Sequence, residues 1–457
     1  MSQEKLSITK QELHSKHVEE ILEKQAALSG EVEFLYGKDK PKVKGSIFLS
    51  SWFYLFLAGL LGAFMSWLII EPNFDDFIRI SGQIEEVRET FPITGANELV
   101  HYVKIDGKGI LFLEQSIYDG IDENGKKITK FSDLSVGQYA YVVCENVYEE
   151  NGLGAAIKIG PSPFPEFNKG RSLSVISIQK TLWSLIIFII LGALIALFVG
   201  CADGIIGRNY KKAIIAGVIG MFIGILGGLI STFVGGLVYA ILGIFTSTTL
   251  NPFESAIGFI AQVVRRTFAW AILGMTMGLG QGIALRSRKM ILNGFLGGML
   301  GALLGGLLFD PIDILILSKG VLDPFRSADI SRLVGFCLTG AFVGLMIGIV
   351  EQINKDAWLI MTKGPISGKQ FIIYKDITRI GSSPNCEIYL FKDSDVLPEH
   401  AIIQKIHDGY LLKDNSSAVG TQVNNRKIRE HKLRNGDKVD IGNTSFTFAE
   451  KERKIKK

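Results

Sequence analysis

The residues best placed to do chemistry lie near the carboxy-terminal end of the chain, and the chemistry they suit is recognition. Four patches alternate with strand-like runs there: Arg379-Ile-Gly-Ser-Ser383, Val396-Leu-Pro-Glu-His-Ala-Ile-Ile403, Ser417-Ala-Val-Gly-Thr-Gln-Val-Asn424 and Leu433-Arg-Asn-Gly-Asp-Lys-Val-Asp-Ile-Gly442. Gly381, Ser382, His400, Gly420, Thr421 and Asn424 fall in the connections, where hydroxyls, amides and backbone N–H groups can hold a peptide. A phosphate on that peptide would also need a cation and donors at fixed geometry. Nothing in the chain has the spacing of a P-loop, a nucleophile elbow or a kinase set. Cys144, Cys201, Cys337 and Cys386 lie in four separate regions, which gives neither a zinc site nor a disulfide framework. His101 has no Cys or Asp at ligand spacing and reads as a strand surface residue. The expectation is therefore no enzyme, no cofactor and no metal.

The four patches together resemble the forkhead-associated (FHA) domain, a β-sandwich family that reads phosphothreonine peptides. The resemblance covers about 90 residues from Trp358 to Phe448 and implies that the six named loop residues form a peptide-binding face. The family supplies an arginine right after its first glycine, a serine three before its histidine and an asparagine just before its Gly-Thr. Here those positions hold Ser382, Leu397 and Val419. Arg379 stands two before Gly381, on a different part of the chain, while Lys392 and Arg426 are expected in loops. Phosphothreonine is the ligand the family implies. The three missing contacts argue instead for binding a protein partner, or a second copy, without phosphate.

The strands that must position these loops are expected over Phe371–Tyr374, Ile377–Ile380, Cys386–Leu390, Ala401–Ile406, Tyr410–Leu412, Lys438–Ile441 and Ser445–Phe448. Asn354 to Asp356 leave almost no linker before them, so the domain should sit against whatever precedes it.

What precedes it reads as membrane. Of the 457 residues 47% are hydrophobic and 21% charged, and long uncharged runs alternate with ordinary soluble sequence. The net charge of +4 gives no reason to propose nucleic acid as a partner. We expect about six spans, near 47–70, 182–204, 213–233, 267–285, 290–309 and 332–352. The segment 233–253 carries no charge before Phe253, and its first part, Phe233–Phe245, is expected to be re-entrant or interfacial. Gly217, Gly220, Gly224 and Gly228 recur as Gly294, Gly297, Gly301 and Gly305, at a constant offset (294 − 217 = 77). A third small-residue ladder appears at Gly340, Gly344 and Gly348. Internal repetition of small residues is expected to bring helices close together, because in lipid packing replaces the hydrophobic drive. Asp203 and Asp310 are the ionisable residues of note, and both read as helix-end residues.

Lys38, Lys40, Lys42, Lys44, Arg208, Lys211, Lys212, Arg286, Arg288 and Lys289 would face the cytoplasm if the amino terminus did. Arg265, Arg266, Lys319, Arg326 and Arg332 would face outward, and ten against five favours that orientation. The organisation expected is a cytoplasmic arm (1–45), a first span (46–70), an extracytoplasmic β domain (71–180), a glycine-rich repeat region (181–353), the FHA-like domain (354–450) and a basic tail (451–457). The arm carries a helical pattern through Val18, Ile21, Leu22, Gln25 and Leu28. The fold class is thus an α-helical membrane bundle plus two all-β domains, the first a small OB-like barrel with tight turns at Asn124-Gly125 and Asn151-Gly152. The function expected is a membrane-anchored interaction and signalling scaffold in a bacterial cytoplasmic membrane, both termini inside. The alternative is a channel or transporter whose glycine-rich bundle the FHA-like domain regulates.

Overall fold

The computed structural model describes residues 46–73, 78–92, 99–118, 120–121, 127–148, 153–161, 171–244, 256–318, 324–391, 393–415 and 419–451. The amino-terminal arm with its lysine cluster, the two Asn-Gly turns, Lys392, Ser417 and the end of the basic tail lie outside the described residues. The chain divides into two compact units. One holds the chain up to Phe64 with Leu191–Asp313 and Val334–Lys457, and the other holds Met65–Ile190 with Ile314–Leu333.

The helices are α1 (Ser51–Ile70), α2 (Leu173–Ile206), α3 (Tyr210–Ile244), α4 (Ala256–Met277), α5 (Leu279–Ala284), α6 (Arg288–Ser318) and α7 (Pro324–Asn354). Among the described residues, five segments are long and apolar enough to cross a bilayer: Ser51–Asn73, Leu185–Ile206, Tyr210–Val238, Arg288–Phe309 and Ile330–Asn354. The sixth expected span, 267–285, is instead split between α4 and α5 at Gly278, and Arg265 and Arg266 make α4 less apolar. Its direction still alternates with its neighbours, as the contacts below show. The uncharged stretch after Phe233 does not turn back: Phe233–Ile244 continues α3, because no proline or charge interrupts its backbone hydrogen bonding.

Within the first unit the helices close into a ring of antiparallel neighbours, and glycines stand where backbones meet. A Cβ on Gly217, Gly220 or Gly224 of α3 would land on Cys201, Ala196 or Gly192 of α2. Gly227 of α3 abuts Thr276 of α4, and Gly294 and Gly298 of α6 abut Gly278 and Gly274. Gly297, Gly301 and Gly305 of α6 press on Ile347, Val343 and Thr339 of α7. Gly340, Gly344 and Gly348 of α7 press on Gly59, Leu55 and Trp52 of α1, and Gly62 of α1 returns to Leu194 and Ile195 of α2. Gly228 is buried, and its carbonyl accepts a hydrogen bond from the Thr232 hydroxyl one turn on. The absence of side chains lets dispersion and Cα–H···O contacts replace a hydrophobic driving force.

The second unit contains a five-stranded closed barrel in the order β1-β2-β3-β7-β6, with β4 (Gly120–Ile121) and β5 (Lys127–Ile128) as a separate pair. Its strands are β1 (Ile78–Pro92), β2 (Leu99–Ile105), β3 (Lys108–Tyr118), β6 (Tyr139–Tyr148) and β7 (Leu153–Pro161). β3 pairs with β7 in parallel and every other barrel pair is antiparallel. Five strands is the count of an OB-like barrel. Alternation along the strands sends Ile80, Ile84, Val103, Ile105, Ile110, Phe112, Val142 and Ile159 into one core. In the same unit Arg332 holds Glu71 by two hydrogen bonds of 2.6 and 3.0 Å.

The carboxy-terminal domain is a sandwich of two sheets. One runs β11-β10-β12-β13-β16, built from β10 (Ile377–Gly381), β11 (Ile388–Tyr389), β12 (Ala401–Ile406), β13 (Gly409–Asp414) and β16 (Glu430–Leu433). The other runs β15-β14-β17-β18-β8-β9, built from β8 (Ala357–Lys363), β9 (Gln370–Ile372), β14 (Thr421–Val423), β15 (Arg426–Ile428), β17 (Lys438–Ile441) and β18 (Thr444–Glu450). Leu359, Met361, Ile380, Ile403, Leu412, Ile441, Phe446 and Phe448 meet between them.

Candidate peptide-binding face

The loops at one end of the sandwich bring Gly381, Ser382, His400, Gly420 and Thr421 together, whereas Asn424 lies past the other end of β14, beside Asp437 and Lys438; most of the six hold the loops in shape. The segment after Gly381 is zipped to the segment before His400. Ser382 donates its N–H to Leu397 O (2.9 Å) and its hydroxyl to Val396 O (2.8 Å), and Ser383 donates to Pro398 O (3.1 Å). Glycine is required at 381 because a Cβ there would collide with the Pro398 carbonyl.

His400 is fully buried, not presented to a ligand. Its Nδ1 accepts the Leu397 N–H (3.2 Å), which leaves the ring proton on Nε2, 3.9 Å from Asp414 Oδ1. Burial holds the imidazole below its ordinary pKa against the pull of the Asp414 carboxylate. Thr421 donates both its N–H (3.0 Å) and its hydroxyl (2.6 Å) to Asp414 Oδ1, tying the start of β14 to the end of β13. Gly420, at φ +82°, makes the turn that permits this. Asn424 and Asn425, at φ 49° and 65°, form the tight turn between β14 and β15, and the Asn424 amide bridges Asp437 Oδ1 and Lys438 N at 3.0 Å each. Ser382, His400, Thr421 and Asn424 therefore all aim their polar groups at their own domain.

At two of the three positions where the family carries polar contacts, the loops present apolar side chains instead. Leu397 and Val419 are 40% and 42% exposed. Arg379 is held away by Glu387, whose Oε2 lies 3.3 Å from its Nε, by Glu399 at 3.4 Å and by the Asn385 carbonyl at 3.3 Å. Burial alone would raise the Glu387 carboxyl, but hydrogen bonds from Arg379 and Lys375 bring it down to about 2. Arg426, expected in a loop, begins strand β15, because the Asn424-Asn425 pair is itself the turn. Lys392 and Ser417 lie outside the described residues.

The same domain is seated on the helix ends of its unit. Asn209 Nδ2 donates to Pro384 O (2.8 Å), Lys211 Nζ to Asn385 Oδ1 (3.2 Å) and Lys289 Nζ pairs with Asp356 (2.8 Å). The Arg208 guanidinium lies 5.9 Å from the Phe391 ring. Deepest of all is Lys369, only 3% exposed, with Nζ 3.0 Å from Asp203 Oδ1. Asp203 Oδ2 meanwhile takes Lys212 Nζ at 2.7 Å, and Tyr54 donates its hydroxyl to Oδ1 at 3.2 Å. Burial pushes the Lys369 ammonium down, and Asp203 pulls it back up. Tyr374 is pushed well up, by burial and then by the nearby Glu351 carboxylate. Sequence reasoning placed Asp203 at a helix end but had no signal for Lys369, because the pairing joins residues 166 positions apart.

Residues 378–442 match the family described as FHA domain. An oxoglutarate dehydrogenase inhibitor of Corynebacterium jeikeium is 33% identical over 92 residues, which is 20% of this chain and 63% of that protein. The glycogen accumulation regulator GarA of Mycobacterium tuberculosis is 33% identical over 92 residues, 20% of this chain and 56% of its own length. The chain thus spans less than two thirds of either relative. Among solved structures, the FHA domain of the CT664 protein from Chlamydia trachomatis is similar at 25% identity and a TM-score of 0.20, covering 21% of this chain and all of that one. The carboxy-terminal domain is an FHA domain, joined to a set of apolar helices and a β domain.

Proposed function

We propose that the chain is a membrane-anchored scaffold whose FHA domain binds a protein partner through an apolar loop face, without a phosphate cradle. The observation that carries this reading is the pair Leu397 and Val419, exposed where a phosphate site needs a hydroxyl and an amide, beside a Ser382 hydroxyl already given to Val396 O. A doubly charged phosphate placed there would lose water and gain no charge-assisted partner. The excess of Lys and Arg on one side of the helices supports a cytoplasmic position for this domain, with the barrel outside.

The test is a comparison of phosphothreonine and unmodified peptide libraries on the full chain in lipid nanodiscs. The expected result is binding with less than a tenfold preference for phosphate, tenfold being ~1.4 kcal/mol. A larger preference overturns the phosphate-independent reading, and absence of any binder overturns the scaffold. A reporter fused after Lys457 tests the side of the membrane.

A further inference from the structure

A cavity of about 70 Å³, room for a few waters, lies where the FHA domain meets the helix ends. Its walls come from the start of α1, the end of α2, the start of α3, the end of α5, the start of α6, the end of α7 and the loops of the FHA domain. Two observations mark it as a site. The Thr378 hydroxyl lines it, is buried, and has no hydrogen-bond partner. The second is the ammonium of Lys369, which the chain itself inserts there. That ammonium rests on Asp203 Oδ1 (3.0 Å) and the Asp203 carbonyl (3.4 Å), with the rings of Tyr54 and Phe371 at 5.6 and 5.4 Å. A carboxylate, a carbonyl and two aromatic faces are the parts of an ammonium receptor.

Four ionisable groups of the helices and of Lys369's own loop meet here: Asp203, Glu351, Lys212 and Lys369. Glu351 is 5% exposed, and its hydrogen-bond partners in this cluster are hydroxyls, those of Ser51 and Tyr374. Lys375 and Glu387, which also line the cavity, form their own pair at 2.9 Å. Without Lys369 the Asp203 carboxylate keeps one close cation partner, Lys212 at 2.7 Å, in place of two. A buried carboxylate that loses one of its cation partners attracts another cation to the vacated side, because low dielectric amplifies the interaction.

We propose that the helix ends form a binding site for a small monovalent cation of the ammonium class, which Lys369 occupies as a tethered ligand when the FHA domain is seated. Cation binding and seating of the domain then compete for one place. The Asp203 carboxylate supplies the charge, Glu351 a carboxyl oxygen, Tyr54 a ring face and Thr378 a spare hydroxyl.

The experiment uses the full chain in nanodiscs, with thermal unfolding followed in ethylammonium, potassium or N-methylglucamine chloride at equal ionic strength. Lys369→Ala should be stabilised by ethylammonium and, to a smaller extent, by potassium, relative to the bulky N-methylglucamine. The wild-type chain and Lys369→Arg should show no such difference. Adding Asp203→Asn to Lys369→Ala should abolish it. Where Lys369→Ala is too unstable to melt, the yield of folded protein extracted in each salt is read instead, and ethylammonium should raise it several-fold. Equal midpoints or yields of Lys369→Ala in all three salts, or an ethylammonium effect that survives Asp203→Asn, overturn the proposal.

Discussion

Arg379 and Glu387 face one another across the loop that follows β10, with Nε 3.3 Å from Oε2 and the Arg379 N–H 2.9 Å from the same oxygen. The cation nearest the first glycine of the FHA loops is thereby fixed on a carboxylate of its own domain. This relationship ties up the one arginine close to the first glycine, and it separates two consequences that can be tested apart.

The first concerns recognition. Ser382→Arg, Leu397→Ser and Val419→Asn together restore the cation, hydroxyl and amide that the FHA family places at these positions. The triple variant should prefer a phosphothreonine peptide over its unmodified form by at least tenfold, about 1.4 kcal/mol, measured by titration of the full chain. Arg379→Ala should leave the wild-type preference unchanged.

The second concerns acid stability. The Glu387 carboxyl, at about 2 in the fold against an ordinary 4.5, is depressed. Its stabilisation is fully present above pH about 4.5 and lost as the pH falls from there toward 2, because the unfolded chain takes up the proton first. Glu387→Gln should flatten this acid limb of the melting curve and lower stability at neutral pH by ~1–2 kcal/mol, since solvent partly screens a half-buried pair whose cations are about a third exposed.

Helix packing gives a matched pair of glycines. A Cβ on Gly301 would collide with the Val343 backbone, whereas one on Gly236 meets nothing within 4 Å. Gly301→Leu should therefore lower the unfolding midpoint in detergent by the equivalent of ~3 kcal/mol or more, and Gly236→Leu should leave it nearly unchanged.

The turn at Asn424-Asn425 makes a fourth test. Asn425 sits at φ 65°, a left-handed conformation that a β-branched side chain resists. Asn425→Gly should be neutral or stabilising by up to ~1 kcal/mol, and Asn425→Val should cost ~1–2 kcal/mol, read by chemical denaturation.

Much of the fold was legible because its signals are local. Strands β12 and β17 coincide with the alternating runs Ala401–Ile406 and Lys438–Ile441, and the loop motifs between them identified the FHA sandwich. Short strands such as β14 and β15 were missed, since three residues around an Asn-Asn turn carry too little alternation to stand out. The helices were visible as apolar runs, but where one ends was not: α3 passes through Phe233 to Ile244 with no residue that marks a boundary. At the loop face, sequence spacing located residues of the loops but not their orientation. His400 and Thr421 serve Leu397 and Asp414 inside the domain, a fact set by burial that no spacing reveals. The seat of Lys369 was beyond reach for the same reason, since it depends on two segments meeting in space.

The passage from α7 to β8 takes only Lys355 and Asp356, and both are pinned. The Lys355 ammonium bonds Gln352 (2.6 Å) and Gln370 (2.8 Å) and sits 4.0 Å from the Trp358 ring, while Asp356 holds Lys289 and accepts from Lys451 N. While the domain is seated, a helix that runs straight into a strand in this way acts as a drive shaft: no swivel remains to absorb rotation. Any roll or tilt of α7 in the bilayer must turn the whole FHA domain with it, and torque on a partner held at the loop face must reach the helix. A fluorophore on the outer strand β15 would then report the attitude of a helix it never touches.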